Sequence, residues 1–325
     1  MIRTVNINLF DGEQISVSFR DMERVGAGGQ GAVFKFKHKK NQYAIKAIPD
    51  EQSIFRRIKD MRSRFVSSSH DVPSSVTYRS LPVGQGYSTG RVFNFKTIKD
   101  LYLLLFNWVE GESLWDYLRE EKPLSKKRKK VASQVLDILV YLQRNLIIHN
   151  DLYPDNFLVD KKKNIFLIDL EGAGLVHKEK WLWQPLVIGK DFMFPTAVEV
   201  KNPVAGKPTR FSDRWIGLYL IFWTLNGFHP FPFLNRIDHE VLGKLVSSVD
   251  KNAICWPPAI VDTKEINQYL NRRYTVNIFD KYMKSQYGET NLERMLFQTF
   301  ISGYDEPQKR IEFELVQNGL NSLIK

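Results

Sequence analysis

Cysteine is almost absent from this sequence: Cys255 stands alone among 325 residues. A single thiol excludes a disulfide within the chain and favours a reducing, cytoplasmic setting. Long apolar runs are missing too. The most apolar stretch, Trp215 to Phe228, falls short of the ~20 residues that a membrane-spanning helix requires, so a buried helix and no membrane partner are expected. The opening residues, Met-Ile-Arg-Thr-Val-Asn-Ile-Asn, carry no apolar signal core. Glutamate is scarce in one region above all, with none between Glu51 and Glu110. Acidic residues number 36 against 47 Lys and Arg, a formal net charge of +11. The densest basic cluster, Lys126 to Lys130, reads as a solvated helix start rather than a nucleic-acid contact. The excess positive charge suits a polyanionic nucleotide or an acidic partner.

What is present suffices for one large or two small domains with a real core. Residues 4 to 20 alternate apolar and polar around Asp11-Gly12, which predicts a hairpin. Next comes a Gly-x-Gly-x-x-Gly-x-Val segment with Gly26, Gly28, Gly31 and Val33 at its marked positions. A dinucleotide-binding turn offers the same glycines but runs into a helix. Here strand-like alternation resumes at Val33, and Tyr43-Ala44-Ile45-Lys46 makes a further short strand. Such a loop brings backbone amides over phosphates, with Val33 and Ala44 as apolar walls for a base.

Residues 149 to 172 hold the other half of the chemistry. They read His-Asn-Asp-Leu-Tyr-Pro-Asp-Asn, an apolar strand, a Lys-Lys-Lys-Asn turn, a second strand, then Ile-Asp-Leu-Glu-Gly. A hairpin mounted this way sets Asp151, Asn156 and Asp169 at the strand ends. Asn156 and Asp169 offer hard oxygen ligands of the kind Mg²⁺ accepts beside phosphate oxygens, while Asp151 can orient a hydroxyl and take its proton.

His149-Asn150-Asp151, then Asn156 after four residues, then Asp169-Leu170-Glu171, resembles the catalytic loop and metal-binding segment of the protein kinase superfamily. The resemblance implies an α+β bilobal fold, a small antiparallel β-sheet lobe plus a larger, mainly helical lobe. Its parts would be a hairpin extension at 1–20, an N-lobe at 21–109 and a C-lobe at 110–325. It implies ATP with Mg²⁺ or Mn²⁺ and transfer of the γ-phosphoryl group to Ser or Thr hydroxyls of a protein substrate. By the same likeness Asp151, Lys46 and Asn156 are catalytic, and Lys46 holds the α and β phosphates. Gly26, Gly28, Gly31, Val33, Ala44, Phe106, Asn107 and Val109 surround the nucleotide, Ser113 or Glu112 reaches the ribose, and Asn156 and Asp169 bind the metal. His149 is structural. Asp213 accepts backbone amides of the catalytic loop, and Arg310 pairs with Glu199 across the larger lobe.

The sequence departs from the family pattern at several places. Active kinases fix the lysine with a glutamate from the following helix; here Asp60 is the best carboxylate, while another register puts Arg57 there with Met61 on the core face. Both registers stay open. Asn150 stands where many kinases have an arginine that binds an activation-loop phosphate. Tyr153 replaces a lysine, and Glu171 replaces a glycine, either adding a carboxylate beside the metal or pointing to solvent. Two other readings therefore stand beside an active protein kinase. One is a pseudokinase acting as a nucleotide-gated binding module. The other is a small-molecule phosphotransferase, which shares the loop but lacks the Asp213, Glu199 and Arg310 trio. Substrate identity and oligomeric state are not encoded in any motif.

Overall fold

The computed structural model describes residues 4–28, 31–49, 52–67, 80–89, 93, 100–185, 209–227, 284 and 291–324. The chain divides into two compact units, Met1–Glu112 with Leu158–Glu171, and Ser113–Phe157 with Gly172–Lys325.

The first unit is built on a seven-stranded antiparallel sheet. Its strands are β1 (Thr4–Leu9), β2 (Gln14–Ser18), β3 (Glu23–Gly28), β4 (Gly31–His38), β5 (Asn41–Pro49), β6 (Gly84–Thr89) and β7 (Asp100–Asn107), in the order β2-β1-β6-β7-β5-β4-β3. Period-two alternation decides what each face does. Phe34, Phe36, Tyr43, Ile45, Leu103 and Leu105 point to one side, where they form a core with Val5, Ile7, Ile15 and Val17 of the first two strands. The opposite face carries the intervening residues, Val33, Lys35, Ala44, Lys46, Leu104 and Phe106. Register sets them in two rows, Val33–Lys46–Leu104 and Lys35–Ala44–Phe106.

The N-terminal hairpin is thus a continuation of the sheet and shares its core. Ile7 pairs with Ile15 across the turn and with Gly86 on the other side. A Cβ on Gly86 would stand 2.4 Å from the Asn6 carbonyl oxygen, so β1 can approach β6 only because that residue is glycine. Helix α1 (Gln52–Ser67) buries Ile54, Ile58 and Met61, and Arg57 is buried with them. Strand β8 (Gly111–Ser113) then leads into the second unit.

There α2 (Leu114–Leu118) and α3 (Lys126–Arg144) precede the short strand β9 (Ile147–Ile148). Ser113 caps α2, its hydroxyl accepting the Asp116 amide at 3.1 Å, so this side chain is engaged in the helix rather than held out for a ribose. Helix α3 buries Val131, Val135, Leu136, Leu139 and Leu142, the helical stripe expected of residues 126 to 145. Its basic start is not wholly solvated. Arg128 is buried and donates to the carbonyls of Leu118, Glu121 and Thr224 at 2.5, 2.9 and 2.8 Å. Those carbonyls sit at or just past the ends of helices, where intrahelical donors run out, which is why one guanidinium of the cluster turns inward.

Strands β10 (Phe157–Asp160) and β11 (Ile165–Leu167) form a three-stranded sheet with β8, and this hairpin joins the first unit from Leu158 on. Strands β12 (Gly174–His177) and β13 (Lys180–Trp183) form a second three-stranded sheet with β9. Helix α4 (Ser212–Asn226) is buried almost throughout and ends on left-handed Gly227. Helices α5 (Asn291–Asp305) and α6 (Phe313–Ile324) complete the second unit, α6 packing on α3. No described helix is long and apolar enough to cross a membrane.

Candidate active site

The pocket face of the first sheet ends in a cleft lined by Val33, Ala44, Lys46, Ser80, Phe106, Asn107, Trp108, Val109, Leu158, Ile168 and Asp169. Its walls are apolar and its charged groups, Lys46 and Asp169, are neighbours. The strand register explains the walls: Val33 lies opposite Lys46, and Ala44 opposite Phe106. At the end of β7 the Trp108 amide donates to the Gln42 carbonyl at 3.0 Å. Since the peptide is planar and trans, the Asn107 carbonyl points the opposite way, free of β5. Trp108 is held further by its indole N–H on Glu110, 2.8 Å, and by Lys35 4.5 Å over its ring.

The glycine segment is the hairpin of β3 and β4, with Gly26 paired to Val33 and Gly28 to Gly31. Gly31 has φ +151°, and a Cβ there would lie 2.1 Å from the Ala47 carbonyl oxygen, so no other residue fits. The tip of the hairpin, residues 29 and 30, lies outside the described residues.

Lys46 is buried, and Asp169 Oδ1 lies 3.1 Å from its Nζ. A second carboxylate, Glu171, is bonded to the same ammonium through Oε1. Lys46 is thus paired with two carboxylates of the Asp169 turn. Glu171, 3% exposed, faces the lysine rather than solvent and does not line the cleft. The cause is local. Asp169 adopts φ +63°, and the 3-10 turn Leu170–Gly172 follows, with Leu170 fully buried, so the carboxylates two residues apart converge on one cation. Burial alone would lower the Lys46 pKa, but the charges of Glu171 and Asp169 outweigh it and the pKa is raised. Burial pushes the Glu171 carboxyl up, Asp169 adds repulsion and Lys46 opposes both.

In the second unit the loop after β9 is tied down by its own side chains. The Asn156 amide donates to the Asp151 carbonyl oxygen at 2.7 Å and to Asp151 Oδ2 at 2.8 Å. Its Nδ2 is spent on Asp151, which leaves its Oδ1, a hard donor, for a cation. His149 Nδ1 accepts the Asp151 amide at 3.2 Å, a structural use. Asn150 is buried at φ +61°, a conformation asparagine tolerates better than arginine would. Tyr153 is half-buried, and burial, with Asp155 and Asp151 nearby, raises its phenol pKa, so it stays neutral.

Asp213 of α4 closes the arrangement from below. Its two oxygens accept the amides of His149 at 2.6 Å and Asn150 at 2.7 Å. Burial pushes its pKa up to about 6, against the charge of His149 and those two amides. A carboxyl whose folded pKa exceeds its unfolded value of about 3.9 binds more protons when folded, so its contribution to stability falls as pH rises between those values. Relative to Asp213→Asn, the wild type is expected to lose roughly 2 kcal/mol between pH 4 and pH 7. Urea unfolding of both proteins at the two pH values checks it; parallel curves would refute it.

Arg310 is buried, donating to the carbonyls of Gly303 at 2.7 Å and Phe211 at 3.1 Å. Glu199, expected to pair with it, lies outside the described residues. Sequence reasoning missed Leu158, Ile168 and the pairing role of Glu171. The first had a signal: Phe157 and Val159 are buried, and Leu158 alternates with them. Among the described residues no group of three or more His, Cys, Asp or Glu side chains could hold a metal alone. An ion at Asp169 or Asn156 would therefore need oxygen ligands from a bound phosphate or from water.

A family model described as protein kinase domain matches residues 19–271. Among curated relatives, a probable myosin light chain kinase of Dictyostelium discoideum is 25% identical over 280 residues, 81% of this chain and 79% of that protein. The serine/threonine-protein kinase PrkC of Bacillus subtilis is 22% identical over 262 residues, 78% of this chain but 37% of that one. The serine/threonine-protein kinase PKH2 of Candida albicans is 27% identical over 244 residues, 71% of this chain and 24% of that one. The chain thus spans less than two fifths of the length of the last two.

Proposed function

Because the chain belongs to the protein kinase family, we propose that it transfers the γ-phosphoryl group of ATP to Ser or Thr hydroxyls of protein substrates. The observation that carries this reading is the apolar cleft whose charged groups are Lys46 paired to Asp169. A flat base fits between Val33, Ala44 and Leu158, and its edge meets the outward Asn107 carbonyl. Lys46 holds the phosphates that follow. By the family pattern, Asp169 and Asn156 each offer an oxygen to Mg²⁺ or Mn²⁺. When bound, such an ion neutralises charge on the phosphate oxygens.

Asp151 supplies the remaining role. Its Oδ2 is fixed by Asn156, so the carboxylate is oriented before a substrate arrives. It accepts the proton of the attacking hydroxyl as the new oxygen–phosphorus bond forms and the bond from the γ-phosphorus to the bridging oxygen of ADP breaks. Serine or threonine as acceptor is supported by the names of the bacterial and yeast relatives. A reducing, cytoplasmic setting accords with the lone cysteine.

The cleft assignment has its own test. Ala44→Leu adds three carbons to the wall beside Phe106 without touching the core face of β5. It is expected to weaken ATP and ADP binding at least about tenfold, through lost fit in the apolar slot. Titration with a fluorescent ATP analogue reads this directly; unchanged affinity in a folded variant would place the nucleotide elsewhere.

A further inference from the structure

We infer that Glu171 is the residue that positions Lys46, so that the turn carrying the metal ligand also orders the phosphate-binding lysine. The inference rests on the kinase reading above and specifies how its lysine is held.

Three observations carry it. Lys46 is bonded to Glu171 and ion-paired with Asp169 at 3.1 Å, but these partners differ in setting. The Asp169 side chain is 42% exposed and lines the cleft, whereas the Glu171 side chain is 4% exposed and does not. Asp169 is therefore the carboxylate a bound cation can engage. Glu171 remains as the counter-charge that a buried ammonium requires. Asp169 and Glu171 are only two residues apart, on either side of buried Leu170, so the lysine and the metal ligand are aligned by one short turn. Glu171 Oε2 has no hydrogen-bond partner among the described residues, which leaves the ion pair as the main constraint on this side chain.

The consequence is a site whose lysine is ordered whenever the Asp169 turn is formed. A double-mutant cycle of Lys46→Met and Glu171→Gln tests it, read as kcat and KM for ATP in phosphoryl transfer and as affinity for a fluorescent ATP analogue. Melting curves are recorded for every variant. Glu171→Gln is expected to lower kcat at least about thirtyfold with KM changed by less than about threefold, the pattern of an interaction used in the transition state. Glu171→Asp should recover part of the loss. In the Lys46→Met background, Glu171→Gln should change kcat by less than about twofold, because Glu171 acts only through the lysine. Asp60→Asn should stay within about twofold of wild type. A merely structural role would instead give additive losses in both backgrounds, and additivity overturns the inference while leaving the kinase reading intact. So does an active Glu171→Gln, or an Asp60→Asn as impaired as Glu171→Gln. If wild type transfers no phosphate, the same cycle is read on nucleotide affinity. If Lys46→Met changes neither transfer nor affinity, the kinase reading of the cleft fails first, and the inference fails with it.

Discussion

Asp169→Ala is expected to lower phosphoryl transfer by about a thousandfold while leaving a folded protein. The size follows from what is removed: a carboxylate aimed at charge in a partly enclosed cleft, where preorganised electrostatics contribute most. The fold should survive because the side chain is 42% exposed and Lys46 keeps Glu171 as its buried partner. Alanine at φ +63° adds a strain of only about 1 kcal/mol. Circular dichroism and a melting curve check the first half, and initial rates at saturating ATP check the second. Undiminished autophosphorylation by the purified variant would refute the metal assignment.

The second large effect is on stability. Lys46→Met strands Glu171, a buried carboxylate with no other cation among its described contacts, and breaking a buried pair from one side costs about 3–5 kcal/mol. Adding Glu171→Gln to that variant removes the stranded charge and should restore at least half of the loss, since a neutral pair of similar volume escapes the desolvation penalty. Urea unfolding of wild type, the single variants and the double variant measures this. A double variant less stable than Lys46→Met would show that the two side chains do not form an isolated buried pair.

Much of the first unit was legible because strands obey a simple rule. Alternation in Tyr43-Ala44-Ile45-Lys46 separates a core face from a pocket face, and the glycine segment and the Asp151, Asn156 and Asp169 intervals announce themselves by residue type and spacing. Helix α3 was equally readable from its stripe. What stayed hidden depends on contacts distant in sequence or on single dihedral angles. No periodicity relates Lys46 to Glu171, 125 residues later; only the left-handed backbone at Asp169 and the turn after it bring them together. Arg128 is indistinguishable from its basic neighbours until the carbonyls of Leu118 and Thr224 are seen beside it. The merging of the N-terminal hairpin with the main sheet turned on Gly84 and Gly86, which no pattern in the sequence ties to the N-terminal strands.

The missing helix glutamate was one argument for a pseudokinase; the structure pairs Lys46 with Glu171, a carboxylate from another element. Chemistry remains the direct test. The decisive measurement is incubation of the purified protein and Asp151→Ala with γ-labelled ATP, a generic basic protein substrate and Mg²⁺ or Mn²⁺, followed by phosphoamino-acid analysis. Label on serine or threonine with wild type, lost in Asp151→Ala, is the predicted result. Nucleotide binding without transfer, with either metal and with candidate protein partners present, would contradict the account and leave a binding module in its place.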